Sequence, residues 1–419
     1  MNVSVLATPL QLPCGAVLAN RIAKAAMSEG FASADGHSTK RLETLYRRWA
    51  HSGAGMLLSG NIQVDAWHLE RPLNVVIKDE TGFEDLARLA AAGTSGGMHF
   101  WAQISHTGRQ VDAKINSAPL SPSDVEIAVM RGVGFDFAQP KSMSESEIQT
   151  ALNQFAYAAK SVKAAGFTGV QLHAAHGYLI AQFLSSHSNK REDKWGGSLK
   201  NRARFLLESL ARVRAVVGPA FPLSIKLNTS DFQKGAFTSA ECVELVGMLN
   251  GSTLDLLELS GGSLEQPKQV GVALKEEGED KLPENTRKRE AYFVEFAGAV
   301  KAAAKMPVMV TGGFRTVAGM AEAIMNDELD VVGIGRPMIA DPETPKKILS
   351  GEIEKAVTPE TNINLFHLLG WNNMQLERLG DGLDPDLSIT GEAASEQFKR
   401  LEANNFEILL KNRSEGGRA

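Results

Sequence analysis

Residues 169–198 read GVQLHAAHGYLIAQFLSSHSNKREDKWGGS. The first seven are a short apolar run of strand character, and around Tyr178 that character gives way to a helical one. Two imidazoles, His173 and His176, and one phenol, Tyr178, stand where the strand ends. Seven further runs of the same kind recur: RIAKAA (21–26), GMLLSG (55–60), HFWAQISH (99–106), PLSIKLN (222–228), LLELSGG (256–262), PVMVTGG (307–313) and DVVGIGR (330–336). Most are continuously apolar, as parallel strands covered on both faces must be. Segments of helical period separate them. In 145–165, Ile148, Leu152, Phe155, Ala159 and Val162 fall on one face, and Ser144 with Glu147 gives a capping box at its start. Strands alternating with helices in this number predict a (β/α)8 TIM barrel over a doubly wound sheet.

Three features interrupt the regular spacing. PLQLPCGAVLAN near the start reads as a hairpin that plugs the barrel floor. The stretch 107–144, carrying SAPLSPSD and GVGFDFAQP, is too long for a simple loop and lies on the side where barrel loops build active sites. Beyond Pro359, NLFHLLGWNNMQLERL and ASEQFKRLEANNFEILL are both of helical period. The expected organisation is a barrel over 1–357 and a C-terminal helical extension over 358–419. The extension exposes Leu, Phe and Trp371 unless it is packed, so it is expected to join a homodimer or larger homo-oligomer, or to close over the site.

The 419 residues are 43% hydrophobic and 22% charged, and 44 basic against 49 acidic residues give a net charge of −5. No global basic field attracts nucleic acid. Two cysteines, Cys14 and Cys242, make neither a disulfide framework nor a cysteine-ligated cluster. No stretch reaches the ~20 apolar residues that span a bilayer, and the N-terminus lacks the pattern of a secretory signal. A cytoplasmic protein with no membrane or nucleic-acid partner is expected.

Polar residues cluster at the strand ends, where barrel chemistry takes place. Strand three offers Gln103, His106 and Arg109; strand four His173, His176 and Tyr178; strand five Lys226. TGGF and GIGRP end strands seven and eight, where glycine backbone and Arg336 suit a phosphate. Each item has a plainer reading as a satisfied structural histidine, a turn glycine or a paired surface arginine. The histidine pair could bind zinc, but no acidic third ligand follows and the spacing is not the i,i+4 of a helical chelate. No metal site is expected. The pairs GAG (53–55), GVG (132–134), GIG (333–335) and GDG (380–382) never complete GxGxxG, so a nicotinamide would only visit.

HAAHGYLIAQFLSSHSNKREDKWGGSLKNRARFLLE strongly resembles the signature of the old yellow enzyme family of FMN-dependent ene-reductases. The resemblance runs in order from LANRIAKAAMSE through WAQISHTGR to MVTGGFR and VVGIGRPMIADP. It implies that Ala26, Met27 and Ser28 lie along the flavin and that Gln103 bonds its pyrimidine edge. Lys226 would stand near N1 and the C2 carbonyl, with Asn61 offering backbone contacts. Gly312, Gly313, Gly335 and Arg336 would hold the phosphate. His173 and His176 would grip the substrate's electron-withdrawing oxygen, and Tyr178 would donate a proton. Ser28 stands where family members often carry Cys or Thr, Ala26 replaces a frequent proline, and Trp195 and Lys200 depart from the usual YGGSxEN run.

These residues suit such chemistry on physical grounds. A cation near N1 favours the reduced flavin, two imidazole N–H groups make an oxyanion hole, and a phenol of ordinary pKa ~10 is protonated at neutral pH. The expected function is an FMN-dependent oxidoreductase that uses NADH or NADPH to reduce activated C=C bonds of unsaturated carbonyl or nitro compounds. The alternative on the same scaffold is an NADH oxidase or flavin-linked dehydrogenase. A Schiff-base aldolase using Lys226, and a non-catalytic barrel that binds a phosphorylated ligand, are rivals from other classes.

Overall fold

Each of the eight apolar runs forms a strand: β1 (Ile22–Lys24), β2 (Met56–Gln63), β3 (His99–Ser105), β4 (Gly169–Ala174), β5 (Leu223–Asn228), β6 (Leu256–Ser260), β7 (Val308–Thr311) and β8 (Val331–Ile334). Neighbours pair in parallel, and β1 pairs with both β8 and β2, which closes the barrel. A short strand, Val75–Val76, adds to the end of β2. The computed structural model describes residues 3–127, 136–265 and 294–416.

Side chains alternate along each strand, so every second residue points into the barrel. The lower interior layer is Ala23, Met56, Leu58, Trp101, Leu256, Met309 and Val331, sealed by Leu12 and Leu18 of an antiparallel hairpin. That hairpin is the expected floor plug. Trp101 fills the layer only because β4 starts with glycine: a Cβ on Gly169 would lie 2.4 Å from the indole Cδ1. Further up the barrel the interior turns polar, with Gln103, Gln171, Ser224, Lys226 and Glu258 all buried. A register shift between Leu58 and Asn61 marks a bulge in β2. At this bulge the Ser59 hydroxyl accepts the Gln103 backbone N–H at 2.9 Å.

The outward strand faces are covered by α1 (Lys40–Trp49), α2 (Phe83–Thr94), α3 (Glu145–Ala165), α4 (Arg204–Val217), α5 (Ser239–Leu249), α6 (Val294–Ala303), α7 (Val317–Met325) and α8 (Thr344–Leu349). In α3 the Ser144–Glu147 capping box forms, and Ile148, Leu152, Phe155, Ala159 and Val162 are buried as their spacing predicts. Thr238 and Thr316 cap α5 and α7. Lys24 departs from the apolar pattern. Its ammonium lies 4.3 Å from the Trp49 ring and donates to the Leu58 carbonyl at 2.7 Å. Burial pushes that ammonium below its ordinary value, and Glu29 partly offsets the shift.

Among its described residues, the long excursion after β3 pairs Leu120–Ser121 with Lys141–Ser142. Part of GVGFDFAQP (residues 132–135) lies outside the described residues. The tail forms α9 (Leu365–Gly380) and α10 (Gly391–Gly416), packed against each other and against the barrel. With the tail packed in this way, Trp371 is buried with Ala340 and Ala394. Leu409 and Phe406 of α10 pack on Leu69, Val111 and Ile115, in the loops after β2 and β3. Arg413 adds a 2.8 Å bond to the Ile115 carbonyl. Among the described residues no helix is long and apolar enough to cross a membrane.

Arg71 connects the tail to the barrel mouth. Its guanidinium donates to Glu402 and to Asn373 Oδ1 at 2.5 Å each, and to the Glu29 carbonyl at 3.2 Å. The arrangement needs glycine beside it: a Cβ at Gly30 would stand 2.7 Å from Arg71 Nε. Replacing Glu402 with Ala takes away one anionic partner of a largely buried cation. Part of the pair is wet, so we expect a loss of about 1–3 kcal/mol and a lower melting temperature. A melting curve that superimposes on that of the parent protein would show that the tail is not fastened through Arg71.

Candidate active site

At the end of β4 the chain enters left-handed backbone at His176 (φ 59°) and Gly177 (φ 75°), so the next residues turn back over the barrel mouth. The strain at His176 is supported by neighbours. Its backbone N–H donates to Asn228 Oδ1 at 3.1 Å, and Gln110 Nε2 donates to its carbonyl at 3.0 Å. His173 Nδ1 accepts the Ala175 N–H at 3.2 Å, which puts the ring proton on Nε2. His176 Nε2 lies 2.8 Å from Ser260 Oγ; a hydroxyl donating there leaves that ring's proton on Nδ1. The two rings stand 5.0 Å apart, and Tyr178 meets His173 edge-on at 4.7 Å. Burial, with contributions that include Lys226, holds both imidazoles well below 6.5. At neutral pH each is an uncharged N–H donor.

Tyr178, Asn61 and Ser28 come from three different strand ends, and Glu70 joins them. Ser28 Oγ donates to the Glu70 carboxylate, and Asn61 Nδ2 donates to Glu70 at 2.9 Å and reaches Ser28 Oγ at 3.2 Å. Glu70 and Asn61 both bear on the phenol. Burial first, and the Glu70 charge second, push it well above 10. Glu70 was missed in the sequence because it lies in the loop after β2, away from any recognisable run. Its position between His68 and Arg71, polar residues crowded after a strand, was the available signal.

A second chain of contacts crosses the barrel at the level of the polar layer. Gln103 Nε2 donates to Gln171 Oε1 at 2.7 Å, and Gln171 Nε2 donates to Glu258 at 2.8 Å and Ser224 at 3.1 Å. Glu258 in turn pairs with Lys226 Nζ at 2.9 Å. The pairing follows from register, since Lys226 is the direct neighbour of both His173 and Glu258. Lys226 is therefore a charge-compensated cation, paired with a carboxylate that sequence reasoning did not place beside it. The signal for Glu258 was a carboxylate in the middle of the apolar run LLELSGG, at an inward position.

Gly312 (φ 138°) and Gly313 (φ 85°) end β7 in backbone conformations that side chains rarely adopt. Gly335 ends β8, and among the described residues a Cβ there would meet only the Met27 side chain, at 3.6 Å. Ala26 packs on the barrel's apolar layer and Met27 on the outer core. The segment 26–28 thus runs from the β8 end to the Ser28–Asn61–Glu70 group. Arg336 opens the short helix Arg336–Ala340 beside Gly335.

Two strand-three residues have other employment. His106 Nδ1 accepts the Gly108 N–H at 3.0 Å, and its ring stacks on His68 at 4.2 Å. His68 is bonded to Asp65 at 2.7 Å and accepts the Leu120 N–H at 2.9 Å. Asp65, His68 and His106 could be taken for a metal cluster, but both His68 nitrogens and His106 Nδ1 already have protein partners that fasten the excursion after β3. Arg109 pairs with Glu265 at 2.7 Å and donates to the Val125 carbonyl at 2.8 Å.

Residues 6–354 match the model of the NADH:flavin oxidoreductase / NADH oxidase family. The chain is 35% identical to the NADH-dependent flavin oxidoreductase nadA of Aspergillus parasiticus over 88% of its own length and 84% of that protein's. It is 32% identical to an NADH oxidase of Thermoanaerobacter brockii, covering 82% of this chain but 51% of that one. Among solved structures, a 2-naphthoyl-CoA reductase superimposes with TM-score 0.75 and 28% identity, over 86% of this chain and 55% of that one. Morphinone reductase superimposes with TM-score 0.70 at 24% identity, over 85% and 92% of the two chains, a likeness of fold. On the strength of the family match, the chain belongs to the FMN-dependent NADH:flavin oxidoreductases of the old yellow enzyme family.

Proposed function

We propose that this protein is an ene-reductase, which uses reduced nicotinamide and FMN to saturate C=C bonds conjugated to a carbonyl or nitro group. The observation that carries the reading is the trio of buried His173 and Tyr178 with half-buried His176, two neutral N–H donors beside a protonated phenol. The residues present fit the flavin. Among the described residues, Asn61 Oδ1 and Thr311 Oγ1 are buried polar atoms without a hydrogen-bond partner, and the Gly335 backbone is open beside the Met27 thioether. Gly312, Gly313, Gly335 and Arg336 would hold its phosphate at the usual barrel site. Gln103 and Lys226 would meet its polar edge, and Ala26, Met27 and Ser28 would line the ring. Bound FMN supplies the two-electron transfer between nicotinamide and acceptor.

The protein's own residues then bind and protonate. As negative charge builds on the acceptor's oxygen, His173 Nε2–H and the His176 N–H stabilise it. Tyr178 gives its hydroxyl proton to the α-carbon. The phenolate left behind faces Glu70, whose charge disfavours it, so the proton must return from solvent before the next cycle. An NADH oxidase reading is the second possibility, supported by the similarity to the Thermoanaerobacter brockii protein of that name. A Schiff-base role for Lys226 is disfavoured by its ion pair with Glu258. We also propose that residues 358–419 form an extension distinct from the barrel at 1–357. The protein would act as a homo-oligomer, a reading supported by Phe366 and Leu369, 86% and 54% exposed on α9.

Tyr178→Phe should leave anaerobic reduction of the bound flavin by NADH near normal. Stopped-flow reoxidation by a simple enone should slow by about 10²–10⁴-fold, the usual worth of a positioned general acid. Equal slowing of both half-reactions would make Tyr178 a pocket wall.

Phenols imitate the enolate oxygen and should bind the oxidised enzyme with a long-wavelength absorption band. His173→Ala/His176→Ala should abolish that band while FMN stays bound; a persistent band would make the pair structural. Because both imidazoles are already neutral, phenol affinity should show no histidine inflection between about pH 6 and 8.

The same shifts govern stability. The folded-state pKa values lie below the unfolded 6.5, so below pH 6.5 the unfolded chain binds more protons than the folded one. Stability present above pH 6.5 is then lost on acidification. Melting temperature should fall steadily from pH 7 to pH 5, and less steeply in the double alanine variant. An equal slope in both would contradict the assignment.

A further inference from the structure

Glu258 is the one charged member of the inner polar layer that the FMN family reading gives no task. It is fully buried, and its two carboxylate oxygens go to different partners. One accepts Gln171 Nε2 at 2.8 Å, and the other lies 2.9 Å from Lys226 Nζ. Gln171 then orients Gln103 by accepting its Nε2–H at 2.7 Å, which turns the Gln103 carbonyl oxygen away from Gln171. A cation buried without compensation would favour any negative charge that developed beside it. Lys226 carries a buried anion on its neighbouring strand at the same register level.

We infer that Glu258 is a positioning residue that sets the reduction potential of the bound FMN low, by compensating the charge of Lys226 and fixing the orientation of Gln103 through Gln171. The inference rests on the proposed placement of the flavin's polar edge at Gln103 and Lys226, and is independent of the ene-reductase chemistry. Reduced flavin gathers negative charge at that edge, so a compensated pair assists reduction less than a lone lysine does. The same pair accounts for a buried carboxylate in a strand that is otherwise apolar, where an unpaired charge would be strongly disfavoured.

The test is the midpoint potential of the FMN-loaded protein, read against a reference dye without NADH or enone. Glu258→Gln keeps the side chain's shape and removes its charge. It should raise the equilibrium constant for two-electron reduction about tenfold, or roughly 30 mV. Lys226→Met should lower it by a comparable factor. K226M/E258Q, which leaves no uncompensated charge and is the variant best able to fold, should fall within about threefold of the parent. If the singles misfold, the double variant can still overturn the inference: a drop of tenfold or more would mean that Lys226 acts as a free cation and that Glu258 does not balance it. A potential that moves in Lys226→Met but not in Glu258→Gln would uphold the site and overturn the inference. If neither single variant moves the potential, the polar edge lies elsewhere and both fall. Activity with enones enters none of these readings, so failure of the ene-reductase proposal leaves the result intact.

Discussion

Closure of the eight-stranded parallel sheet is the constraint on which the rest of the molecule depends. β1 contributes three residues, yet it pairs with β8 on one side and β2 on the other. Once the sheet is closed, strict alternation decides which side chains share the small interior. The lower part is filled with Trp101, methionines and aliphatic residues and is stoppered by the hairpin. Among the described residues, the barrel's interior turns polar in its upper part. Its residues must satisfy one another, because an unpaired polar group there costs about 1–3 kcal/mol.

That requirement shapes the site's electrostatics. Lys226 is compensated by Glu258, Gln103 is oriented through Gln171, and Ser28, Asn61 and Tyr178 converge on Glu70. Two carboxylates therefore organise these groups, the buried Glu258 beside the lysine and the half-buried Glu70 beside the phenol. Arg71, next in sequence to Glu70, carries this order outward to Asn373 and Glu402 on the two tail helices. The extension is thereby fastened to the loop that carries Glu70.

The strands were legible because their apolar runs are unbroken and the helices between them keep a 3.6-residue period. The α3 capping box and the hairpin plug were readable for equally local reasons. His173, His176 and Tyr178 could be found because one short stretch carries all three. Glu70 and Glu258 could not be assigned partners from sequence, since each acts on residues from other strands. Glu70 meets Ser28, Asn61 and Tyr178, and Glu258 meets Lys226 and Gln171. The sequence left open whether the tail packs Trp371 on its own chain or on another subunit, and α9 and α10 bury it within one chain. Such placements depend on long-range packing, which hydrophobic periodicity does not encode. Lys24 was hidden for the opposite reason: one cation in an apolar run leaves the periodicity intact, and its shelter is an aromatic pair on α1.

The central claim is that two different hydrogens reach the acceptor by two different routes. Reduction of a cyclic enone by unlabelled NADH in D2O tests it directly, with the deuterium located in the product by NMR. The account predicts one deuterium on the α-carbon, delivered to a single face from the exchangeable hydroxyl of Tyr178, and none on the β-carbon. Recovery of unreacted enone, with NADH consumed only when oxygen is present, would contradict it and leave an oxidase.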